Sequence, residues 1–264
     1  MKIKNRHRLS TSDSVVNISI PQSWEALSQK QLVFTLRLLA GELDIESCRA
    51  ILFRHLSCID IIGHAPEPAD GSEGGYIVTI KGIRGPLFLA YREIVWAYDS
   101  LEWFGKPPAV PVRPDCIAGA HALHPRLAGA SFESFLACES FFQGYIATGD
   151  ESLIREMVAL LYPGIRKKKI DGFAITAVFF WFSGLKTWLQ ARYPDFFRPA
   201  ANSGTEDSDM PDMGAIIRTQ LRALSKGDVT KNAAVLAAEL HDALHELNAL
   251  AAEYERVKAD SRKN

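Results

Sequence analysis

The chain has 264 residues, of which 47% are hydrophobic and 10% aromatic, so it is long enough to bury a sizeable apolar core. Its 30 basic and 31 acidic side chains nearly cancel, which excludes an overall field that would attract nucleic acid or an anionic membrane. Its four cysteines are irregularly spaced, which excludes a dense disulfide scaffold and a paired zinc framework. We therefore expect a globular protein with reduced thiols and no nucleic-acid partner.

The N-terminal segment, MKIKNRHRLSTSDS, is basic and polar. No apolar stretch follows its charges, so it lacks the pattern of a secretory signal, and we expect residues 1–14 to form a flexible arm. A short strand is predicted at Val15 to Ile20. A helix should begin after Ser28, because its hydroxyl can cap the first turn while Gln31 bonds back to it as a capping box.

The next elements are a second helix, a loop and a hairpin. The helix is predicted from about Asp44 to Ser57, and residues 64–75 predict an exposed loop because they are rich in proline, glycine and acid. Tyr76 to Ala90 predicts a β-hairpin, the only substantial β element apart from the short strand. The inward side chains of the helix are predicted to be Ile45, Cys48, Ile51, Leu52 and Leu56.

The middle of the chain predicts an extended crossing segment over 107–129 and then two helices. The stretch SFESFLACESFFQGYIATGDESLIREMVALLYPG should form helices at about Ser131 to Thr148 and Asp150 to Tyr162, since Gly149 and Asp150 supply a stop and a new cap. We expect the two helices to pack through Phe135, Phe142, Leu153, Met157 and Leu160.

The most apolar run, GFAITAVFFWFSGL, begins at Gly172 and ends at Leu185. It is shorter than the roughly 20 apolar residues that span a bilayer, so we predict a buried helix from Ile170 to Tyr193 and no membrane partner. The polar residues 198–212 predict a linker. The domain organisation is then a mainly helical core over 15–197 with its hairpin at about 76–90, and a C-terminal helical segment over 213–264.

The C-terminal segment predicts a short helix from Met213 to Ser225 and a long amphipathic helix from about Thr230 to Ala259. We expect the part up to Leu247 to pack on the protein and the part from Glu253 onward to face solvent or a partner. The overall fold class is therefore mainly α, a helical bundle with one small β-hairpin and a long C-terminal amphipathic helix. Its heptad seam consists of Leu236, Leu240, Ala243, Leu247, Leu250, Tyr254 and Val257.

Two residues of the middle segment could carry chemistry. Cys138 lies in an aromatic stripe with Phe135 and Phe142, where a thiol is a poor nucleophile, so we predict that it is a packing residue. Glu139 would be costly to bury without a partner. We predict a structural bond from Glu139 to a backbone amide or an arginine, with a role as general acid as the alternative.

Histidines could bind a metal at two places. His121 and His124 lie on an irregular segment without a zinc-binding pattern, and His241 and His245 are four residues apart, a spacing that also fits the surface of an amphipathic helix. The basic cluster Arg166–Lys169 could contact phosphates, but a solvated turn between helices explains it as well. We predict no catalytic residue, no metal and no cofactor.

Four features follow one another along the chain: SWEALSQKQL near the N-terminus, FESFLACESFFQGYIATGDESLIREMVALLYPG, YPDFF, and the leucine-rich terminal helix. In this order they resemble a group of phage- and prophage-encoded proteins of Bacteroidetes that are associated with tail or virion assembly. The resemblance spans most of the chain. It is a pattern of helices and aromatics, and it transfers no functional residue.

This resemblance implies a non-enzymatic adaptor or assembly chaperone that acts through protein–protein contacts. It would work in the cytoplasm of the bacterial host cell or in association with the virion. Its partner would be a virion or tail component, or a second copy bound through the C-terminal helix. The alternative is a small cytoplasmic enzyme with a site around Glu139 or around His121 and His124.

Overall fold

The computed structural model describes residues 2–4, 15–17, 19–67, 73–198 and 212–261. Over these residues the chain is mainly α-helical, which confirms the predicted fold class. It divides into two compact units, Met1–Lys106 and Pro107–Asn264. The sequence placed its boundary in the linker 198–212 instead, and residues 199–211 of that linker lie outside the described residues, as do most of residues 1–14.

The first unit contains three α-helices and a three-stranded sheet within its described residues. The helices are α1 (Gln29–Leu39), α2 (Ile45–Ser57) and α3 (Tyr91–Asp99). The strands are β1 (Lys2–Lys4), β2 (Val15–Asn17), β3 (Ile59–Ala65), β4 (Gly75–Ile80) and β5 (Leu87–Ala90). Strands β1 and β2 pair with each other, and β3, β4 and β5 form an antiparallel sheet in that order.

The predicted starts of the first two helices are confirmed. Ser28 Oγ accepts a hydrogen bond from Gln31 N, and Gln31 Oε1 accepts one from Ser28 N at 2.9 Å, which is the predicted capping box. Asp44 caps α2 by accepting from the amides of Glu46 and Ser47. Both ends are set locally, because each capping side chain bonds to a residue two or three positions away.

The prediction of a lone β-hairpin is wrong, because β3 adds a third strand and runs to Ala65, into the predicted loop 64–75. The register of β3 with β4 shifts between Ile61 and Gly63, so Ile62 is an extra residue in the strand. Ile61 and Ile62 are 53% and 60% exposed. A bulge interrupts the alternation of buried and exposed side chains, which is the pattern that identifies a strand in a sequence.

The core of the first unit lies between α2, α3 and the sheet. Leu52 and Leu56 of α2 are buried as predicted, whereas Ile45 and Ile51 are exposed, contrary to the prediction. The buried face of α2 therefore holds fewer apolar residues than the sequence predicts. The core side chains are Cys48, Leu52, Phe53, Leu56, Ile59, Val78, Ile80, Leu87, Leu89, Ala97, Leu101 and Phe104.

The second unit is built from helices. They are α4 (Phe132–Thr148), α5 (Glu151–Leu161), α6 (Gly172–Arg192), α7 (Met213–Ser225), α8 (Asn232–Ala237) and α9 (Leu240–Ser261). Two short strands, β6 (Cys116–Ile117) and β7 (Ala120–His121), precede them.

The α4–α5 pair has the predicted form. Gly149 ends α4 with a φ of +70°, a conformation that glycine adopts without strain, and Asp150 then caps α5. The two helices approach closely at Gly144, where an added Cβ would lie 2.8 Å from a methyl carbon of Leu153. Leu160, which the sequence placed in the interface, is 37% exposed.

Helix α6 is apolar along most of its length and forms the centre of this unit. Val178, Trp181 and Phe182 are almost fully buried, as the sequence predicts for a core helix. Over the described residues, α6 is the one helix long and apolar enough to cross a membrane, with a mean hydropathy of 1.2. Because 61% of that stretch is buried inside the protein, and core helices commonly meet the same criterion, this is weak evidence for a membrane span.

The irregular segment before α4 packs against α5 and α6, which agrees with the predicted crossing segment. At Gly184 an added Cβ would lie 2.4 Å from the carbonyl oxygen of Val110, so only glycine permits this approach. Trp181 Nε1 donates to the carbonyl oxygen of Pro125 at 2.7 Å, and Tyr162 Oη donates to that of Pro114 at 2.8 Å. Buried aromatic donors thus satisfy carbonyl groups of the crossing chain.

The predicted continuous helix from Thr230 to Ala259 is wrong, because the chain leaves the helical conformation at Ala238, where ψ is 153°. Phe132 N donates to Ala238 O at 2.9 Å, and Leu240 N donates to Ala130 O at 2.9 Å. Backbone groups that would bond within a continuous helix bond instead to the chain at the start of α4. Two helices, α8 and α9, result.

Glu239 completes this junction by capping α9. Its Oε2 accepts hydrogen bonds from His241 N at 2.6 Å and Asp242 N at 3.1 Å, while its Oε1 accepts one from Gly129 N at 2.9 Å. Burial acts to raise the pKa of Glu239, but the three amide hydrogen bonds and the charge of His241 outweigh it, so the pKa lies below its ordinary value of 4.5.

We expect Phe142→Ala to lower the free energy of unfolding by about 3–5 kcal/mol, as large truncations in a core do. The Phe142 ring is 7% exposed and lies 5.1 Å from the Phe182 ring and 5.6 Å from the Phe179 ring, centroid to centroid. The midpoint of urea denaturation measures the change. Ile146→Ala is the control, because Ile146 lies on the same helix and is 57% exposed. Equal losses from both variants would contradict the packing described here.

We also expect Glu239→Gln to change how stability depends on pH. A carboxyl group whose pKa is lowered in the folded chain stabilises it above the unfolded pKa, and this contribution is lost as the pH falls through the folded pKa. The variant should therefore melt below the wild type at neutral pH, and the gap should close as the pH falls below 4.5. A gap that stayed constant from neutral to acidic pH would show that Glu239 does not act through its charge.

Candidate functional site

Glu139 is the charged side chain of α4 that the sequence singled out, and it forms a partly buried ion pair. Its Oε1 accepts hydrogen bonds from Gln143 Nε2 at 2.8 Å and from Lys186 Nζ of α6. The Glu139 and Lys186 side chains are only 17% and 19% exposed. The predicted structural bond is present, but its partners are a lysine and a glutamine rather than an arginine or a backbone amide.

The helices bring these groups together by their spacing. Gln143 is four residues after Glu139 and therefore lies on the same face of α4. Lys186 reaches the carboxylate from α6, and its ammonium group lies 5.5 Å from the centre of the Phe142 ring. A carboxylate with so little exposure requires a partner of this kind, because an unpaired buried charge is strongly destabilising.

A cavity of about 560 Å³ lies beside this ion pair, between α4, the turn that follows α6, and α7. Its wall is mainly apolar. The polar side chains in it are Glu139, Gln143, Thr219 and Gln220, and the apolar ones are Phe135, Leu136, Phe196, Phe197, Met213, Ala215 and Ile216.

Two of the residues that line the cavity each hold one oxygen atom that accepts no hydrogen bond from any described residue. They are Oε2 of Glu139 and Oε1 of Gln220, and both are buried. A buried acceptor without a donor typically costs about 1–3 kcal/mol. Both oxygens are shielded from solvent, so they lie behind the surface that the cavity presents.

Cys138 is a packing residue, as the sequence predicts. It is 1% exposed, and burial, with a smaller effect from the charge of Glu139, raises the pKa of its thiol to about 12. Almost none of the thiol is ionised at neutral pH, and the thiolate is the nucleophilic form.

His121 and His124 do not join the Glu139 cavity. His121 lies in β7, where it pairs with Cys116, and His124 Nδ1 accepts a hydrogen bond from Arg126 N at 3.3 Å. Both histidines are exposed. Across the described ranges, no group of three or more His, Cys, Asp or Glu side chains is placed to hold a metal ion.

His241 belongs to an aromatic cluster that attaches α9 to the end of α6, which sequence reasoning missed. Its Nδ1 is hydrogen-bonded to Tyr193 Oη at 3.0 Å, and its Nε2 to the carbonyl oxygen of Arg126 at 2.8 Å. The ring stacks on Tyr193 and meets Trp188 edge-on. Because both ring nitrogens are engaged and His245 is exposed, the pair does not form the metal clamp that the sequence left open.

The basic cluster Arg166–Lys169 is exposed throughout and lies in the turn between α5 and α6. Lys167 Nζ forms an ion pair with Glu156 at 2.5 Å. This geometry agrees with the solvated turn that the sequence offered as one interpretation.

Sequence reasoning did not identify Lys186, the ion-pair partner of Glu139, or Gln220, one of the residues that line the cavity. Lys186 gave a usable signal, because it follows fourteen uncharged residues of a buried helix and a charge there needs a nearby counterion. Gln220 gave none, because a glutamine on an amphipathic helix is ordinary.

We expect alkylation with iodoacetamide to separate the four cysteines by burial. Cys58 and Cys116 are exposed and should react in the native protein, whereas Cys48 and Cys138 are buried and should react only after unfolding in denaturant. Mass spectrometry of the labelled peptides measures each site. Labelling of Cys138 as fast as Cys116 would contradict the packing assigned to α4.

No protein-family model, curated protein or solved structure matches the chain. The resemblance to phage and prophage proteins therefore stays a prediction, and the function has to be argued from the geometry.

Proposed function

We propose that the protein is a non-enzymatic adaptor or assembly chaperone that binds a partner protein through the C-terminal part of α9. The setting, assembly of a phage tail or virion in a bacterial host cell, is proposed from the sequence resemblance alone. The partner in this proposal is an amphipathic helix of a virion or tail component.

The observation that carries the proposal is a change of burial along one seam of α9. Leu240 and Leu247 are 0% and 5% exposed, whereas Tyr254 and Val257, further along the same seam, are 65% and 60% exposed. The sequence predicted this division between a packed first part and an exposed end. A seam with alternating spacings of three and four residues is the pattern that accepts a partner helix.

The packed part of α9 is anchored well before the exposed part begins. The Asn248 side-chain oxygen accepts hydrogen bonds from the amides of Asp195 and Phe196 at 2.9 and 3.1 Å. Beyond it, Lys258 Nζ lies 5.8 Å from the centre of the Tyr254 ring. Packing within the protein therefore holds the first part of α9 in place. The last turns of the helix present their apolar side chains to solvent.

The first unit also presents apolar side chains. Ile61 and Ile62 of β3, and Val95 and Trp96 of α3, are each more than half exposed. Exposed apolar side chains gain free energy when another protein covers them. They support an adaptor with more than one contact surface.

The enzyme alternative has less support from the geometry. A general acid or base exchanges a proton with a substrate atom within hydrogen-bond reach. Glu139 is the one titratable residue among the described residues that line the cavity, its Oε1 is already bonded to Lys186, and the wall is mainly apolar. His121 and His124 lie outside this lining.

We expect substitutions along the α9 seam to separate folding from partner binding. The double variant Leu240→Asp, Leu247→Asp should unfold the chain, because each carboxylate enters an apolar core without a counterion. Val257→Asp should leave the thermal midpoint unchanged but abolish partner binding. Circular dichroism measures the first effect.

Partner binding can be measured by photo-crosslinking in host cells that assemble the particle. A benzoylphenylalanine at Tyr254 should cross-link to a virion or tail protein, and the additional change Val257→Asp should remove that product. The same probe at Glu246, an exposed position on the polar side of α9, is the control. A product that contained only a second copy of the chain, or no product at all, would refute the adaptor proposal.

A further inference from the structure

A cleft of about 480 Å³ lies at the C-terminal end of α3, within the first unit. It is formed by the last turns of the helix, the turn that follows, and a residue of the chain before α1. The residues that line it are Gln22, Trp96, Asp99, Ser100, Glu102 and Trp103. Two indole rings and two carboxylates therefore meet in one cleft.

The two tryptophans of the cleft differ in how they are held. Trp103 Nε1 donates to the carbonyl oxygen of Pro21 at 3.1 Å, and its ring meets Trp24 edge-on with the ring centres 5.1 Å apart. Trp96 is 54% exposed. Tryptophan is one of the residues that most often carry binding energy at protein interfaces. The cleft thus has one fixed indole wall and one indole that is accessible to a partner.

The negative charge in the cleft has no counterion in the described part of the chain. Asp99 is the last residue of α3, and the last turn of this helix contains no basic residue. Asp99 and Glu102 are exposed, and neither side chain forms an ion pair or a hydrogen bond with another described residue. The C-terminal end of a helix carries a partial negative charge, which disfavours carboxylates and favours a cation. A bound cation would therefore relieve a repulsion that folding leaves in place.

The aromatic walls indicate which cation fits. The guanidinium group of arginine is planar, stacks on aromatic faces and forms paired hydrogen bonds with carboxylates, whereas a lysine ammonium is a strongly hydrated point charge. Among aromatic side chains, tryptophan attracts cations most strongly. An indole beside two carboxylates therefore matches an arginine side chain better than a lysine.

We propose that this cleft is an interaction surface that binds an arginine side chain of a partner protein. The guanidinium group stacks on Trp96 and donates hydrogen bonds to Asp99 and Glu102, and the aliphatic part of the arginine lies against Trp103. The cleft belongs to the first unit and the exposed seam of α9 to the second. Failure of arginine binding would therefore leave the proposed contact at α9 intact, and the reverse also holds.

Three small probes test the charge and the shape of the ligand: the N-acetyl amides of arginine, citrulline and lysine. Citrulline is neutral and has nearly the same shape as arginine. In an NMR titration of the full chain, the arginine probe should shift the indole N–H resonance of Trp96 saturably, and citrulline should bind at least about fivefold more weakly because it forms no ion pair. Lysine should also bind more weakly than arginine. Equal affinities for arginine and either other probe, or no saturable shift with arginine, would overturn the proposal.

A charge variant tests the location. Asp99→Asn combined with Glu102→Gln should weaken binding of the arginine probe at least about fivefold, because both ion pairs are lost. The control is Glu42→Gln combined with Glu246→Gln, which changes the net charge equally at two exposed positions outside the cleft. Equal weakening by the two double variants would exclude this cleft as the site.

An aromatic variant tests the stacking. Trp96→Ala should weaken binding of the arginine probe, measured from the amide resonance of Ser100, which also lines the cleft. Val95→Ala is the control, because Val95 is exposed on the same helix and does not line the cleft. Both positions are more than half exposed, so both variants should fold, and thermal unfolding verifies this. Equal binding by the two variants would overturn the role given to Trp96.

Discussion

The requirement to cover α6 organises the second unit. Most residues from Phe173 to Leu185 of this helix are buried, so this part of it has to be shielded from water on nearly every side. Helices α4 and α5 shield part of it, with Phe142 packed on Phe179 and Phe182. The irregular segment that precedes α4 shields another part, and it passes so close at Gly184 that any side chain would collide with its backbone. The irregular chain between residues 107 and 131 therefore serves to cover part of α6.

The same requirement explains the Glu139 site. Lys186 interrupts the apolar surface of α6. Because α4 covers its ammonium group, that charge needs a counterion. Glu139 supplies that charge, and Gln143 supplies a further donor from the same face of α4. The other carboxylate oxygen of Glu139 is buried and accepts no hydrogen bond from a described residue.

Much of the secondary structure could be predicted because its signals are local. The capping box at Ser28, the cap at Asp44, and the Gly149–Asp150 break each depend on contacts within a few residues. The buried state of Cys138 also followed from its aromatic neighbours. Strand β3 could not be predicted in this way, since its bulge at Ile62 removes the period of two and the strand it pairs with, β4, does not follow it directly in the sequence.

The sequence by itself determined the mainly helical class, the ends of most helices, and the division of the C-terminal seam into a packed and an exposed part. It did so because helix caps and apolar spacing act over a few residues. Tertiary structure alone decided the break between α8 and α9. The residues around Ala238 contain no glycine or proline, and a continuous helix there satisfies every local preference. The break forms because Ala238 and Leu240 bond to the backbone at the start of α4, more than one hundred residues away, and Glu239 caps the new helix end. The partners of Glu139 and the walls of its cavity were decided in the same way, by contacts between helices that no local pattern encodes.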